Sequence, residues 1–301
     1  MTTTNRTTPN TSEAASNVTQ TNPPRLRRSK FVNGAHYLVL ILLALVMLLP
    51  FAWMFGTSLK TKDYILDTTP QLIPEHASFD SYVELADTIA IGRMLFNSTF
   101  VAVIGTAGQI FVSAMAAYAF SRMEWRGRDT VFILYLTTMM VPSVVTIVPL
   151  FILIRALGWM NSYQALIVPA LFSAFGTFLL RQFFLTLPRD LEEAAVVDGA
   201  NHLTIFLRIT LPLAKPALAA LAVFSFMGLW NAYLWPLFVA RKEAFMTLPV
   251  GLAQLQAGPN ALTEWNLVMA GAVITVLPML VVYLLAQKWF IRGVAFSGIK
   301  G

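Results

Sequence analysis

Cysteine is absent from the 301 residues, which excludes disulfides, cysteine-based metal sites and thiol catalysis and leaves the redox compartment undetermined. Histidine is scarce: His36, His76 and His202 stand far apart and follow no metal-ligand spacing, so no metal site is expected. No HExxH, GxSxG or P-loop sequence occurs, and no acid, base and nucleophile converge, so this chain is not expected to be an enzyme or to bind a cofactor itself. The largest deficit is charge. Only 12% of the residues are Asp, Glu, Lys or Arg while 57% are hydrophobic, against about 25% charged in ordinary soluble domains.

The uncharged residues are gathered into six long runs: 37–59, 94–121, 130–154, 156–180, 216–240 and 265–287. Each exceeds the roughly 20 residues that a helix needs to span the hydrocarbon core. A helix satisfies its backbone within one segment, whereas a barrel would show short alternating strands. The expected fold class is therefore an all-α membrane protein with six transmembrane helices. The turn-like "LGWMNSYQ" makes runs three and four a hairpin with Arg155 near its tip.

Basic residues orient the bundle. Fifteen of the 21 Lys and Arg residues lie in the N-terminal tail, the 122–129 loop, the 182–215 loop with its flanking Arg181, and the C-terminus. The other six are Lys60, Lys62, Arg93, Arg155, Arg241 and Lys242. Both termini and the 182–215 loop are thus expected on the cytoplasmic side of the cell membrane. The net charge of +6 sits at membrane edges, where topology and anionic lipid explain it, and no nucleic-acid partner is implied.

Two domains are expected: a basic, disordered cytoplasmic tail over 1–35, polar and rich in Thr, Asn, Ser and Pro at its start, and a membrane domain over 36–301. The first run is too long for a removed signal peptide and is expected to remain as an anchor. Residues 60–93 bring three basic and six acidic residues, fitting an external segment. Pro142, Pro149, Pro169 and Pro278 fall inside the runs and can kink or break them. The small residues of "VIGTAGQIFVSAMAAYA" let helices approach closely.

One polar stretch, "EEAAVVDGANHLTIFLRITLP", residues 192–212, interrupts the apolar pattern. Asp190 reads as an N-cap with Glu193 three residues on, and Glu192 and Glu193 complement the positive helix end. Gly199 reads as the helix exit. A helix-turn-helix follows, and on this reading alone Glu193 need do nothing more than cap.

The spacing adds a second reading. Glu193-Ala194-Ala195, three residues ending in Asp198, Gly199, nine residues, Ile209, one residue and Leu211-Pro212 resemble the EAA loop of binding-protein-dependent ABC importer permeases at all seven specified positions. "LIPEHASFDSYVEL", "NSTFVAVIGT", "WNAYLWPL", "TLPVGL" and "FIRGVAFSGIKG" look like the maltose-type, carbohydrate-uptake branch, extending the resemblance over roughly 36–301. The resemblance implies the importer permease fold, with the loop as a coupling helix docked on a cytoplasmic ATPase dimer. That ATPase would carry ATP and Mg. A sister permease, usually in a heterodimer, and an extracytoplasmic solute-binding protein would complete the assembly. The cargo would be a carbohydrate, or a related polyol or glycerol phosphate. A C-terminal contact with the ATPase through Gly298 and Lys300 is implied in the same way.

In "WNAYLWPLF", Trp230, Asn231 and Tyr233 are candidates for lining a translocation pathway, set against interfacial or packing roles for the aromatics and an interhelical hydrogen bond for Asn231. The competing function is a self-sufficient ion-coupled secondary transporter. Such proteins often use ionisable groups within the membrane, and all six runs lack charge over their cores.

Overall fold

In hydrocarbon the backbone has no hydrogen-bond partner but itself, so the uncharged runs become helices. The computed structural model describes residues 30–61, 74–257 and 264–297, with side chains over 36–61, 74–256 and 264–287. Every long regular element among them is helical. Residues 1–29 of the expected 1–35 tail lie outside the described residues, whereas 30–35 form the first turns of a helix, and the C-terminal candidates Gly298 and Lys300 lie outside the described residues.

In chain order, helix α1 is Lys30–Ser58, α2 is Asp80–Thr88, α3 is Ile91–Arg122, α4 is Arg128–Thr137 and α5 is Ser143–Ala156. Then come α6 (Tyr163–Ile167), α7 (Ala174–Thr186), α8 (Asp190–Val197), α9 (His202–Ile205) and α10 (Leu211–Leu213). The last four are α11 (Lys215–Trp230), α12 (Leu234–Val239), α13 (Leu248–Ala257) and α14 (Trp265–Ser297). Residues up to Pro50 form one unit and residues from Phe51 a second. In the first, side chains 36–50 are exposed around the whole helix. The second holds the buried core.

Among the described residues three segments, His36–Ser58, Ile91–Arg122 and Trp265–Gln287, are long and apolar enough to cross a bilayer as single helices. Three further pairs reach that length only when two bent pieces are counted together, which gives up to six spans. Run three is the sharpest departure from a straight span. After a 3-10 turn over Thr138–Met140 the chain bends by 101° between α4 and α5. Pro142 is the cause: it forces Val141 into extended geometry, φ −79° and ψ 117°, where a helix cannot continue. Pro169, in the 3-10 turn Val168–Leu171, marks a milder 40° bend before α7. Pro149 and Pro278, by contrast, are absorbed inside α5 and α14.

Run five is also shorter than its uncharged length. α11 stops at Trp230 and α12 starts separately at Leu234, because Pro236 has no N–H for the Ala232 carbonyl. Arg155 occupies the last turn of α5 at the hairpin tip. That tip is pinned by Asn161, whose Oδ1 accepts from the backbone N–H groups of Arg241 and Lys242 at 2.8 Å each.

α3 is the central element of the second unit. Its Ala102, Ala114 and Ala117 are fully buried, so neighbouring helices come close. One cluster joins Ala114, Ala117 and Tyr118 of α3 to Leu180 and Phe184 of α7, Ile205 of α9 and Leu221 of α11. At the other end Met94 and Ala102 pack with Phe226, Trp230 and Leu248. α2 lies on α14 through Leu85, Leu267 and Val268, with Asn266 Nδ2 donating to Ser81 Oγ at 3.0 Å.

Candidate functional site

The 182–215 loop folds as a short helix, a turn and a second helical segment. α8 begins one residue earlier than the capping-box reading requires. Arg189 is the N-cap, its carbonyl accepting from the N–H groups of Glu192 and Glu193, and no side-chain cap forms. Asp190, Glu192 and Glu193 all fall in the first turn, where their charge complements the helix dipole. At the far end Gly199 has φ 83°, the left-handed conformation that glycine adopts without a side-chain penalty. The Ala200 N–H donates to the Ala195 carbonyl at 2.9 Å and the Gly199 N–H to the Val196 carbonyl at 3.0 Å, the paired bonds of a Schellman exit. A carbon added at Gly199 would meet open space, so the requirement there is conformational.

Asn201 opens the second segment, its side-chain oxygen accepting from the Thr204 N–H at 2.9 Å. The helix widens into a π turn over Phe206–Thr210, and Pro212 then stands in the first turn of α10. This divides the motif by direction. Ile209 and Leu211 pack partly buried on the α3–α7–α11 cluster, as do Ala195 and Ala200. Glu193, Ala194, Asp198, Gly199 and Pro212 are exposed. Leu191, Val196 and Val197 are exposed beside them, Val197 at 88%, an apolar face of the kind that marks a docking surface.

The residue that fixes α8 is Glu192, which sequence reasoning assigned only to the dipole. Its Oε1 lies 3.0 Å from Nε of Arg122, and both side chains are largely buried, at 15% and 3% exposure. Thr210, fully buried, directs its hydroxyl at the same oxygen at 3.5 Å. The charge count by itself gives Arg122 only a topological role. A lone basic residue ending a 28-residue uncharged run, with a paired Glu-Glu downstream, is the signal that was there to use. Tyr118, Arg122, Arg189, Glu192, Glu193 and His202 line a cleft of about 270 Å³ beneath α8.

The pathway candidates separate. Asn231 and Tyr233 line a cleft of about 460 Å³ with Ser143, Thr146 and Trp235, between the start of α5 and the break after α11. Asn231 is the residue that ends α11, not a residue within a span, and its Nδ2 donates to the Met227 carbonyl of its own helix at 2.9 Å. Trp230 is elsewhere. It is 1% exposed, stacks on Phe226 at 5.8 Å, and donates Nε1 to the Thr275 carbonyl of α14 at 3.1 Å, so its role is packing. Among the described residues no group of three or more His, Asp or Glu is placed to hold a metal.

Residues 109–296 match the family described as "Binding-protein-dependent transport system inner membrane component". The chain belongs to that family. This permease is 36% identical over 267 residues to the arabinooligosaccharides transport system permease protein AraQ of Bacillus subtilis, covering 88% of this chain and 94% of that one. It is 42% identical over 211 residues to the sn-glycerol-3-phosphate transport system permease protein UgpE of Pectobacterium atrosepticum, covering 70% and 75%. Among solved structures, a bacterial ABC transporter involved in the import of the acidic polysaccharide alginate superposes with a TM-score of 0.77 at 26% identity, over 89% of this permease and 100% of that chain. The permease is an all-α, multi-pass membrane subunit of a transporter.

Proposed function

We propose that this permease is one half of the translocation pathway of an ATP-driven importer for a carbohydrate or a related polyol phosphate, and that α8 is its coupling helix. The observation carrying the proposal is the form of α8: a short helix with an exposed apolar and acidic face, ended by a Schellman turn at Gly199 and held from below by Arg122. A helix anchored on one side and open on the other is built to receive a partner. The partner is a cytoplasmic ATPase dimer, which carries ATP and Mg, and the permease itself is non-catalytic. A sister permease and an extracytoplasmic binding protein complete the assembly. Both termini face the cytoplasm, and Gly298 and Lys300 extend the contact with the ATPase. The names of the relatives, one for arabinooligosaccharides and one for sn-glycerol-3-phosphate, support the substrate class. The cleft at Asn231 and Tyr233 is the candidate stretch of pathway.

Gly199→Val tests α8. A β-branched residue at φ 83° costs at least about 1–2 kcal/mol and is relieved only by unwinding the exit turn. In complexes assembled with the ATPase, the variant is expected to lose binding-protein-stimulated ATP hydrolysis and uptake together. Full stimulation and uptake in an intact complex would rule out α8 as the coupling element.

A further inference from the structure

Two arginines at the α8 end of the bundle cap each other's helices. Arg122, ending α3, donates Nη2 to the carbonyls of Phe184 at 2.7 Å and Leu187 at 3.0 Å, at the end of α7. Arg181 of α7 donates Nε to the carbonyl of Phe120, in the last turn of α3, at 3.1 Å. These carbonyls lie in the last turns, where helix donors run short: Pro188 has no N–H to offer Phe184, whose carbonyl accepts from the Leu187 N–H at 3.1 Å and has a second lone pair for Arg122. A cation there also meets the negative end of the helix dipole.

Each guanidinium holds a second element as well. Arg122 pairs with Glu192 of α8 at 3.0 Å. Arg181 reaches Asp129 of α4 at 3.4 Å and lies 4.1 Å above the Phe132 ring of the same helix. The planar five-donor fork of arginine is what allows one side chain to serve a carbonyl and a carboxylate together. Asp129 is exposed and also binds Arg128, so the Phe132 contact supplies the drier part of that joint. Between the two joints α3 and α7 form one packed block through Ala114, Ala117, Leu180 and Phe184.

We propose that this reciprocal arginine pair is a relay that carries a displacement of α8 to α4. It rests on the coupling role of α8 given above. α4 leads into the 101° corner at Pro142, and the first residues beyond that corner, Ser143, Val144 and Thr146, line the cleft that also holds Asn231 and Tyr233. Movement entering at Glu192 therefore has a continuous route, through an ion pair, packed helices and guanidinium–carbonyl bonds, to a wall of the candidate pathway. Arg122, Arg181, Glu192 and Asp129 act as positioning residues, since none of them need touch cargo or nucleotide.

The test uses the whole transporter, with ATPase, sister permease and binding protein, in lipid vesicles. Glu192→Gln and Arg181→Lys are each expected to lower the solute moved per ATP hydrolysed about tenfold, within the range of a coupling between sites. A role confined to assembly would lower hydrolysis and uptake in parallel and leave that ratio intact, which would overturn the relay. So would an unchanged ratio at unchanged activity. Because the chain has no cysteine, spin labels at Asp190→Cys, at the start of α8 and clear of its apolar docking face, and Ile133→Cys on α4 report one distance. That distance is expected to stay fixed between nucleotide states in the wild-type background and to shift with nucleotide when Glu192→Gln is added. Equal behaviour in both backgrounds overturns the relay while leaving the coupling role standing. A wild-type transporter that moves solute without regard to ATP removes the coupling role, and the relay with it.

Discussion

Asn97 is a polar bonding centre in the interior of the second unit. It is fully buried on α3, donates Nδ2 to the carbonyls of Ala244 at 3.0 Å and Met246 at 2.9 Å, and accepts from the Tyr163 hydroxyl at 2.7 Å. One side chain thus ties the segment after α12 and the hairpin helix α6 to the central helix. Its neighbour Ser98 accepts from the Leu248 N–H at 2.7 Å, which fixes the start of α13. Replacing Asn97 by leucine keeps the volume but strands the Met246 carbonyl and the Tyr163 phenol, while the Ala244 carbonyl keeps Arg93 Nε at 3.1 Å, at a cost of about 3 kcal/mol. A lowered thermal midpoint of the detergent-purified protein checks this, and Tyr163→Phe, which leaves one acceptor unmet, should lower it less. The "NSTF" stretch was legible as part of a family resemblance, but not as a bonding centre, because its partners lie about 150 positions away in sequence. Local pattern gave Gly199 its left-handed exit correctly, since that depends on its own backbone. It missed Glu192, whose partner is on another helix.

At the scale of the element, hydropathy locates helices well and their ends poorly. Runs two and six became unbroken spans: run two holds no proline, and run six absorbs Pro278 inside α14. Run three reads as one span because every residue in it is uncharged, yet a bilayer-compatible run and an unbroken helix are different properties: Pro142 changes only the second. Run five was overextended for the same reason, which moved Asn231 from a span interior to a helix end. Close packing sets a further constraint that hydropathy does not contain. Gly176, in the first turn of α7, faces Ser113 of α3 and Leu221 of α11, and an added carbon would lie 2.7 Å from Ser113 Oγ and 3.2 Å from both Leu221 methyls. Alanine there gains up to about 1 kcal/mol of helix propensity. Overpacking between two helices that are themselves held costs about 1–3 kcal/mol. Crowding should win, so Gly176→Ala is expected to lower the thermal midpoint of the purified protein. A rise would mean that α3 and α11 yield more readily than their packing implies.

For the whole molecule, orientation is the property on which coupling depends, and it follows from charge placement. α8 receives a nucleotide-driven partner only if its loop faces the compartment that holds ATP. The positive-inside rule predicts a cytoplasmic loop, because the six-span topology would place fifteen of the 21 basic residues on its side. Structure adds a matching asymmetry. The α8 end presents exposed Val196 and Val197 beside acids, a surface for a protein partner, whereas the opposite end is closed by Asn161 bonding to 241–242 and by α2 packed on α14. The absence of cysteine makes the orientation directly measurable. In cells that express the permease without its ATPase, so that α8 is uncovered, Val197→Cys should resist a membrane-impermeant maleimide while the cells are intact and react once the membrane is opened. Ala77→Cys, exposed just before α2, should react in intact cells. Labelling in the reverse order would turn the bundle over and place α8 where no ATPase could reach it, and the mechanical reading of Glu192, Arg122 and Gly199 would lose its source of force.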